Sequence, residues 1–119
     1  DGTEQWSYET DNHVWSSPAV VDGRVYVGGW DNHVYALSAE DGTEQWTYET
    51  DDRVWSSPAV VDETVYIGSY DYNVYALSAE DGTERWSYET SDEVRSSPAV
   101  VDGIVYVGGI DNNVYALSE

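Results

Sequence analysis

The chain has 119 residues with no cysteine, and its 24 acidic residues against four arginines give a formal net charge of −20. So acidic a surface repels nucleic acid and anionic lipid, which excludes both as favoured partners, and the lack of cysteine excludes disulfides and thiolate chemistry. No apolar run approaches the roughly 20 residues that a membrane-spanning helix needs, so we expect no membrane insertion.

The sequence is a single repeat domain, residues 1–119, made of three copies of one unit at residues 1–40, 41–80 and 81–119. The segment DGTEQWSYET recurs as DGTEQWTYET and DGTERWSYET, and each unit also carries SSPAVVD and, near its end, VYALS. A fixed period of this length predicts a repeat architecture in which each unit buries its apolar face against its neighbours. We therefore expect any function to belong to the assembly of units.

Each unit reads as four short β-strands separated by turn signals. In the second copy the predicted strands are Pro58–Val61, Val65–Gly68, Val74–Ser78 and Thr83–Glu89. Four antiparallel strands in about 40 residues predict an all-β fold in which each unit is one blade of a β-propeller. Proline cannot donate a ladder hydrogen bond, so we expect the proline strand to be innermost, facing the channel, and the tryptophan strand outermost.

The junction between consecutive units carries a recognisable motif. The spacing of Ala36, Gly42 and Trp46, repeated from Ala76 to Trp86, resembles the tryptophan-docking motif of PQQ-like (quinoprotein-type) propeller repeats, Ala-x-Asp-x-x-Thr-Gly-x-x-x-Trp. Serine replaces the usual aspartate of the motif and aspartate its threonine. The resemblance covers essentially the whole chain, and it implies that each tryptophan docks between neighbouring blades. WD40 repeats are a weaker match, because no Gly-His or Trp-Asp pair ends a strand.

One docking motif is split between the two ends of the sequence. Ala116 is the front of a motif, whereas Gly2 and Trp6 are the back of one. Three blades do not close a ring, but two copies can join these halves twice. We therefore expect a six-bladed homodimer in which residues 1–10 form an outermost strand that completes the last blade of a partner chain. A nine-bladed trimer, a fragment of a longer single-chain ring and an open or distorted monomer stay open.

The predicted blade-docking residues are the small and aromatic members of the three motifs: Ala36, Ala76, Ala116, Gly2, Gly42, Gly82, Trp6, Trp46 and Trp86.

Differences between the copies concentrate on one face of the predicted ring. The link into each innermost strand and the second hairpin of each blade lie at the same end of the meander. The residues there form a candidate binding face: His13, Trp15, Trp30, His33, Arg53, Trp55, Tyr70, Tyr72, Arg95 and Ile110. One interpretation is a surface for a protein or small-molecule partner, including a carbohydrate. The other is drift in exposed turns, which vary readily.

No residue pattern in the chain predicts catalysis. The turn at Asp31 offers oxygen ligands, but aspartate and asparagine also stabilise turns, and EF-hand spacing is absent. His13 and His33 lack the further ligands of a zinc site, and there is no Gly-x-Ser-x-Gly elbow or phosphate loop. We predict no metal, no cofactor and no catalytic residue.

The resemblance raises one enzymatic alternative, a fragment of a PQQ-dependent dehydrogenase. Such enzymes use PQQ and Ca²⁺ in larger rings, often with an adjacent cysteine pair. This chain has no cysteine, and its blades are nearly interchangeable, whereas a catalytic site needs different residues in different roles. We therefore predict a non-enzymatic scaffold or binding module.

The acidity and the uniformity of the copies leave the source open. Acidic residues occur in every repeat, which favours a salt-adapted, halophilic protein, because high salt screens their repulsion. A cation-binding or solubilising coat is the alternative, and the copies fit either recent amplification or deliberate design. Relatives implied by the resemblance include extracytoplasmic assembly scaffolds, which suggests an envelope or secreted location.

Overall fold

The computed structural model describes residues 1–119, and it contains eleven β-strands and no helix. The strands are β1 Ala19–Val21, β2 Arg24–Gly28, β3 His33–Ser38, β4 Glu44–Glu49, β5 Ala59–Val61, β6 Thr64–Gly68, β7 Asn73–Ser78, β8 Glu84–Glu89, β9 Ala99–Val101, β10 Ile104–Gly108 and β11 Val114–Ser118. They form three antiparallel sheets, here called blades 1, 2 and 3, with four, four and three strands. The predicted all-β propeller fold with three blades per chain is confirmed. No helix that could cross a membrane is found.

A row of alternating small and large residues crosses each blade. In blade 2, Ala59 pairs with Tyr66, Tyr66 with Ala76, and Ala76 with Trp86. Because Ala76 is fully buried and has only a methyl group, the rings of Tyr66 and Trp86 on either side approach each other to a centroid distance of 5.9 Å. The alanine of each docking motif therefore leaves room for an aromatic pair.

The first hairpin of each blade needs left-handed backbone. Asp22 and Gly23 have φ angles of 49° and 78°, as a two-residue hairpin turn requires. In blade 2 the glycine is replaced by Glu63, which adopts a φ of 63°. For a residue with a side chain this region costs roughly 1–2 kcal/mol. Blade 2 therefore carries a small local strain that the other blades lack.

The core lies between blades as well as within them. Its main cluster joins Tyr26, Ala36 and Trp46 of blade 1 to Val65 and Leu77 of blade 2. The innermost strands contact one another, β1 with β5 and β5 with β9. The proline strand thus lies innermost, as its sequence indicates, although the strand itself begins one residue after each proline.

The two ends of the stack differ from the interior. Residues 1–10 form no strand in the single chain and pair with none of the three sheets. At the other end β11 is an edge strand: Val114 is 81% exposed, whereas the equivalent Val34 and Val74 are fully buried. The predicted outermost strand at residues 1–10 is thus not formed in the single chain.

Candidate functional site

The rim of the blade 1–blade 2 junction is built around Trp46. Its Nε1–H donates to the carbonyl oxygen of Ala79 at 2.9 Å, and its side chain is 7% exposed. The ring lies on Gly82, where a Cβ atom would come within 2.5 Å of it. Gly82 also has a φ of +77°, so glycine is needed there for both backbone conformation and close approach.

Trp6 makes the same contacts with the next copy of the motif in its own chain. Its Nε1–H donates to the carbonyl of Ala39 at 3.0 Å, and its ring lies on Gly42. The hydroxyl of Tyr8 donates to Glu44 at 2.6 Å, matching a bond from the tyrosine of β4 to the glutamate of β8. Residues 1–10 therefore occupy the outermost-strand position beside blade 1, with no blade of their own.

The third motif is present as two separate halves. Gly2 has a φ of +81°, close to its counterparts, yet nothing lies within 4 Å of a Cβ placed on it. The carboxylate of Asp1 accepts the N–H of Thr3 at 3.0 Å, as the aspartate of each complete motif does. At the other end Trp86 has no glycine beneath it and is only half-buried. The back half of the motif is thus formed and unoccupied, and Ala116 lies exposed on the edge strand β11.

Tyrosine hydroxyls are fixed by carboxylates in every blade. Tyr75 donates to Asp71, and the equivalent pairs occur in blades 1 and 3. Burial, followed by this hydrogen bond, raises the pKa of Tyr75. Burial and a hydrogen bond to Glu119 raise the pKa of Tyr66 to about 12, and a hydrogen bond to Glu44 raises that of Tyr8 to about 12. The folded chain therefore favours neutral tyrosines.

We expect the protein to lose stability between pH 10 and about pH 12. A tyrosine whose pKa rises from 10.0 to about 12 on folding contributes stability that is fully present below pH 10 and is lost as the pH passes 12. Denaturant unfolding at stepped pH, with tyrosinate absorbance recorded in parallel, measures this loss. Tyr66→Phe removes one such group and should make the decline shallower. Titration of all tyrosines near pH 10 in the folded protein would contradict the prediction.

Aromatic side chains gather on one face of the stack, in what we call the aromatic ladder: Trp15, Trp30, Trp55 and Tyr70. Trp15 stacks on Trp30 at a centroid distance of 5.4 Å, and Trp55 stacks on Tyr70 at 5.6 Å. Across the junction, Trp30 and Trp55 lie 5.0 Å apart. The ladder therefore joins blade 1 to blade 2 at the face, as the docking tryptophan joins them at the rim.

Arginines cover the rings of the ladder. The guanidinium of Arg53 lies 4.6 Å from the ring centroid of Trp30, and that of Arg95 lies 5.1 Å from that of Tyr70. Arg95 also forms a 3.2 Å ion pair with Glu93. Two of the four cations of a strongly acidic chain thus contribute cation–π contacts at the blade junctions.

The structure assembles seven of the ten residues of the predicted face around the ladder. His13 joins it with its ring 5.7 Å from that of Trp30. His33 lies apart, because its Nδ1 bonds to the carbonyl of Asp31 and its ring packs near Tyr35. Tyr72 and Ile110 are 43% exposed and make no aromatic contact with the ladder. The seven are His13, Trp15, Trp30, Arg53, Trp55, Tyr70 and Arg95.

A further contact at each junction was missed from the sequence. The fully buried Val54, which enters blade 2, packs on Gly28 of blade 1. Nearer the channel, the backbone N–H of Ser17 donates to the Oγ of Ser57 at 2.7 Å, and that of Ser57 to Ser97 at 2.9 Å. The only sequence signal for these contacts is the identical placing of glycine and serine in all three copies.

The opposite face of the blade 1–blade 2 junction holds a groove of about 630 Å³. Arg24 crosses it and donates to the carbonyl oxygens of Ala79 and Glu80 at 2.6 and 2.9 Å. The remaining polar side chains that line the groove are four carboxylates and the hydroxyl of Tyr26, which donates to the carbonyl of Ala79 at 3.4 Å. No group of three or more histidine and acidic side chains is arranged to hold a metal ion. The groove presents no nucleophile paired with a base.

Comparison with known proteins identifies relatives for the whole chain. A family model described as outer membrane protein assembly factor BamB matches residues 1–55 and 50–119. Among curated protein sequences, none matches significantly.

Three solved structures share the fold. BamB from Moraxella catarrhalis superposes with a TM-score of 0.84 at 20% identity, over 96% of this chain and 36% of that one. The quinohemoprotein alcohol dehydrogenase ADHIIG from Pseudomonas putida HK5 gives 0.80 at 33% identity, over 87% and 18%. The computationally designed protein Ika8 gives 0.76 at 19% identity, over 86% and 32%. The chain thus spans about a third of BamB and of Ika8, and less of the dehydrogenase.

Proposed function

This chain belongs to the family of outer membrane protein assembly factor BamB, a family of PQQ-like β-propeller repeats, and we propose that it acts as a non-enzymatic scaffold. The observation that carries the proposal is the uniformity of its junctions. The docking tryptophans and the tyrosines next to them make the same contacts from blade to blade, and Arg53 and Arg95 are each engaged over an aromatic ring of the ladder. A catalytic centre needs distinct groups converging on one substrate, and such convergence is lacking here.

The scaffold we propose is a closed ring of two copies, six blades in all. Three features support a second copy as the missing neighbour. The edge strand β11 has unpaired backbone groups, Trp86 lacks a glycine beneath it, and Gly2 is already in the docking conformation with nothing on it. Residues 1–10 of each copy would pair with β11 of the other, and this places Gly2 under the partner's Trp86. Closure would also pair the exposed edge of β11 in each copy.

Ligand binding by the aromatic ladder has less support. Sugars bind to open aromatic faces. In this structure Trp30 packs between Trp15 and Trp55, and the guanidinium groups of Arg53 and Arg95 lie over Trp30 and Trp55. Only Trp15, at the end of the ladder, is more than half exposed, at 57%. The geometry therefore favours a structural role for the ladder between blades.

We expect the 119-residue chain in high salt to have twice the 13.3 kDa mass of one copy. The substitution Trp6→Ala should reduce this mass to that of a single copy. In the proposed ring, residues 1–10 complete blade 3 of the partner copy, and Trp6 packs from there against blade 1 of its own chain. Trp6 would therefore lie at the interface between the two copies. Truncating a buried tryptophan costs about 3–5 kcal/mol in other cores. Light scattering at micromolar concentration measures the mass.

Gln5→Ala, on the exposed face of the same segment, is the matched control and should leave the mass unchanged. A wild-type mass of one copy would contradict closure by a second chain, and three copies would indicate a nine-bladed ring.

A further inference from the structure

The contact that joins blades next to the ladder is a valine seated on a glycine. Val54 packs on Gly28, and a Cβ on Gly28 would overlap its Cγ1 atom. The next junction repeats this with Val94 on Gly68. The backbone N–H of each valine also donates to a carbonyl of the preceding blade. Val54 donates to Gly29 at 3.1 Å and Val94 to Ser69 at 3.0 Å. Both valines are fully buried.

The same valine and glycine exist at the two ends of the chain without a partner. Val14, the equivalent of Val54, is 48% exposed. Gly108, the equivalent of Gly28, has no atom nearer to a built Cβ than the Oγ of Ser96 at 3.5 Å. A notch of the right shape is therefore open on blade 3, and the residue that fills such a notch is exposed beside blade 1.

The neighbouring contacts end in the same way. Inside the chain Trp55 lies between Trp30 of the preceding blade and its own Tyr70. Trp15 has its own Trp30 but nothing on the preceding side, where Ile110 would be the counterpart, and these residues are 57% and 43% exposed. The ladder is thus open at both ends.

We propose that the link residues 11–17 of a second copy form a recognition surface separate from the exchanged strand. The partner's Val14 fills the notch at Gly108, and the partner's Trp15 packs on Ile110 and extends the ladder across the seam. The inference rests on the proposed two-copy ring. In it, a second copy is recognised through Gly108, a glycine in ordinary strand conformation at the end of β10. A methyl group at Gly108 would block the seat, and within its own chain it would meet only Ser96, whose Oγ lies at an ordinary van der Waals distance of 3.5 Å.

The test compares one substitution at three equivalent positions. We expect Gly108→Ala to leave the unfolding of single copies unchanged and to raise the dissociation constant of the ring at least about tenfold, since overpacking at two seams weakens both. Gly28→Ala and Gly68→Ala, whose notches are already filled, should instead destabilise the single copy. Sedimentation over a concentration series measures association, and denaturant unfolding of dilute protein measures stability.

A double variant keeps the test independent of folding defects. Val14→Gly removes the atoms that would collide with a new methyl group at the seam. Combined with Gly108→Ala it should bring the dissociation constant back toward the wild-type value. An unchanged dissociation constant in Gly108→Ala, with a wild-type ring present, would overturn this inference and leave the proposed ring standing. A wild-type chain that never associates would overturn both.

Discussion

Trp46→Ala is expected to lower the free energy of unfolding by about 3–5 kcal/mol, the range for large aromatic truncations in well-packed cores. Trp46 is 7% exposed, lies on Gly82 and contacts Tyr26 at a centroid distance of 6.0 Å. Its loss leaves a cavity between two blades and removes one hydrogen bond to the carbonyl of Ala79, which Arg24 still donates to at 2.6 Å. Native domains are stable by only about 5–15 kcal/mol, so the change removes a large share of the total.

Urea unfolding followed by circular dichroism measures this loss, and two variants separate its parts. Trp46→Phe keeps most of the buried ring but removes the N–H, so its smaller loss reports the hydrogen bond to Ala79 and the change in ring shape. Gln45→Ala, on the exposed face of the same strand, should stay within about 0.5 kcal/mol of the wild type. A loss at Trp46→Ala no larger than at Gln45→Ala would mean that the docking tryptophan does not hold the blades together.

The docking residues could be predicted because the motif is local in sequence. Ala36, Gly42 and Trp46 lie within eleven residues, and a fixed period repeats them. The packing of Val54 on Gly28 could not be predicted, because the two residues belong to different blades. Neither residue type is unusual at its position in a strand or link. Glycine at a strand end reads as a turn signal, and only the packed structure shows the side chain that excludes a Cβ there.

The position of the candidate face follows from topology, whereas the side chains that meet there depend on local packing. Turns at one end of an antiparallel meander must share a face, so the positions of Trp15 and Trp30 followed from topology. The orientation of His33 did not, because the choice between the ladder and the carbonyl of Asp31 depends on local hydrogen bonding. Ile110 lies where a ladder residue belongs, but no following blade exists in one copy to cover it.

The strand state of residues 1–10 also lay outside what the sequence decides. The segment has the composition of β4 and β8, and Trp6 and Tyr8 bond as their counterparts do. A strand, however, is defined by backbone pairing with a neighbour, and this is a property of the assembly. Local sequence therefore predicts the side-chain contacts of residues 1–10, whereas their pairing as a strand depends on a neighbour outside the segment.

The second large effect concerns salt: at low ionic strength the protein is expected to unfold. Its net charge is −20, and the ion pair between its arginines and its carboxylates is the Arg95–Glu93 contact at 3.2 Å. Most of the 24 acidic side chains therefore have no cation beside them. The screening length falls from about 30 Å at 0.01 M to about 3 Å at 1 M salt, so repulsion reaches across the whole molecule only in dilute buffer.

Thermal unfolding followed by circular dichroism between 10 mM and 3 M NaCl measures the effect. Across these salt concentrations the screening length falls from roughly the size of the molecule to a few ångströms. Screening predicts that the midpoint rises most steeply at low salt and flattens near 1 M, whereas salting-out of apolar surface would continue to raise it. Glu40→Gln with Glu80→Gln offers a matched comparison, because both residues are exposed and their side chains make no hydrogen bond. Removing two charges should shift the rise to lower salt. A thermal midpoint that is the same in salt-free buffer as in brine would show that repulsion between the carboxylates does not destabilise the fold. Adaptation to salt would then be the wrong explanation for the number of acidic residues.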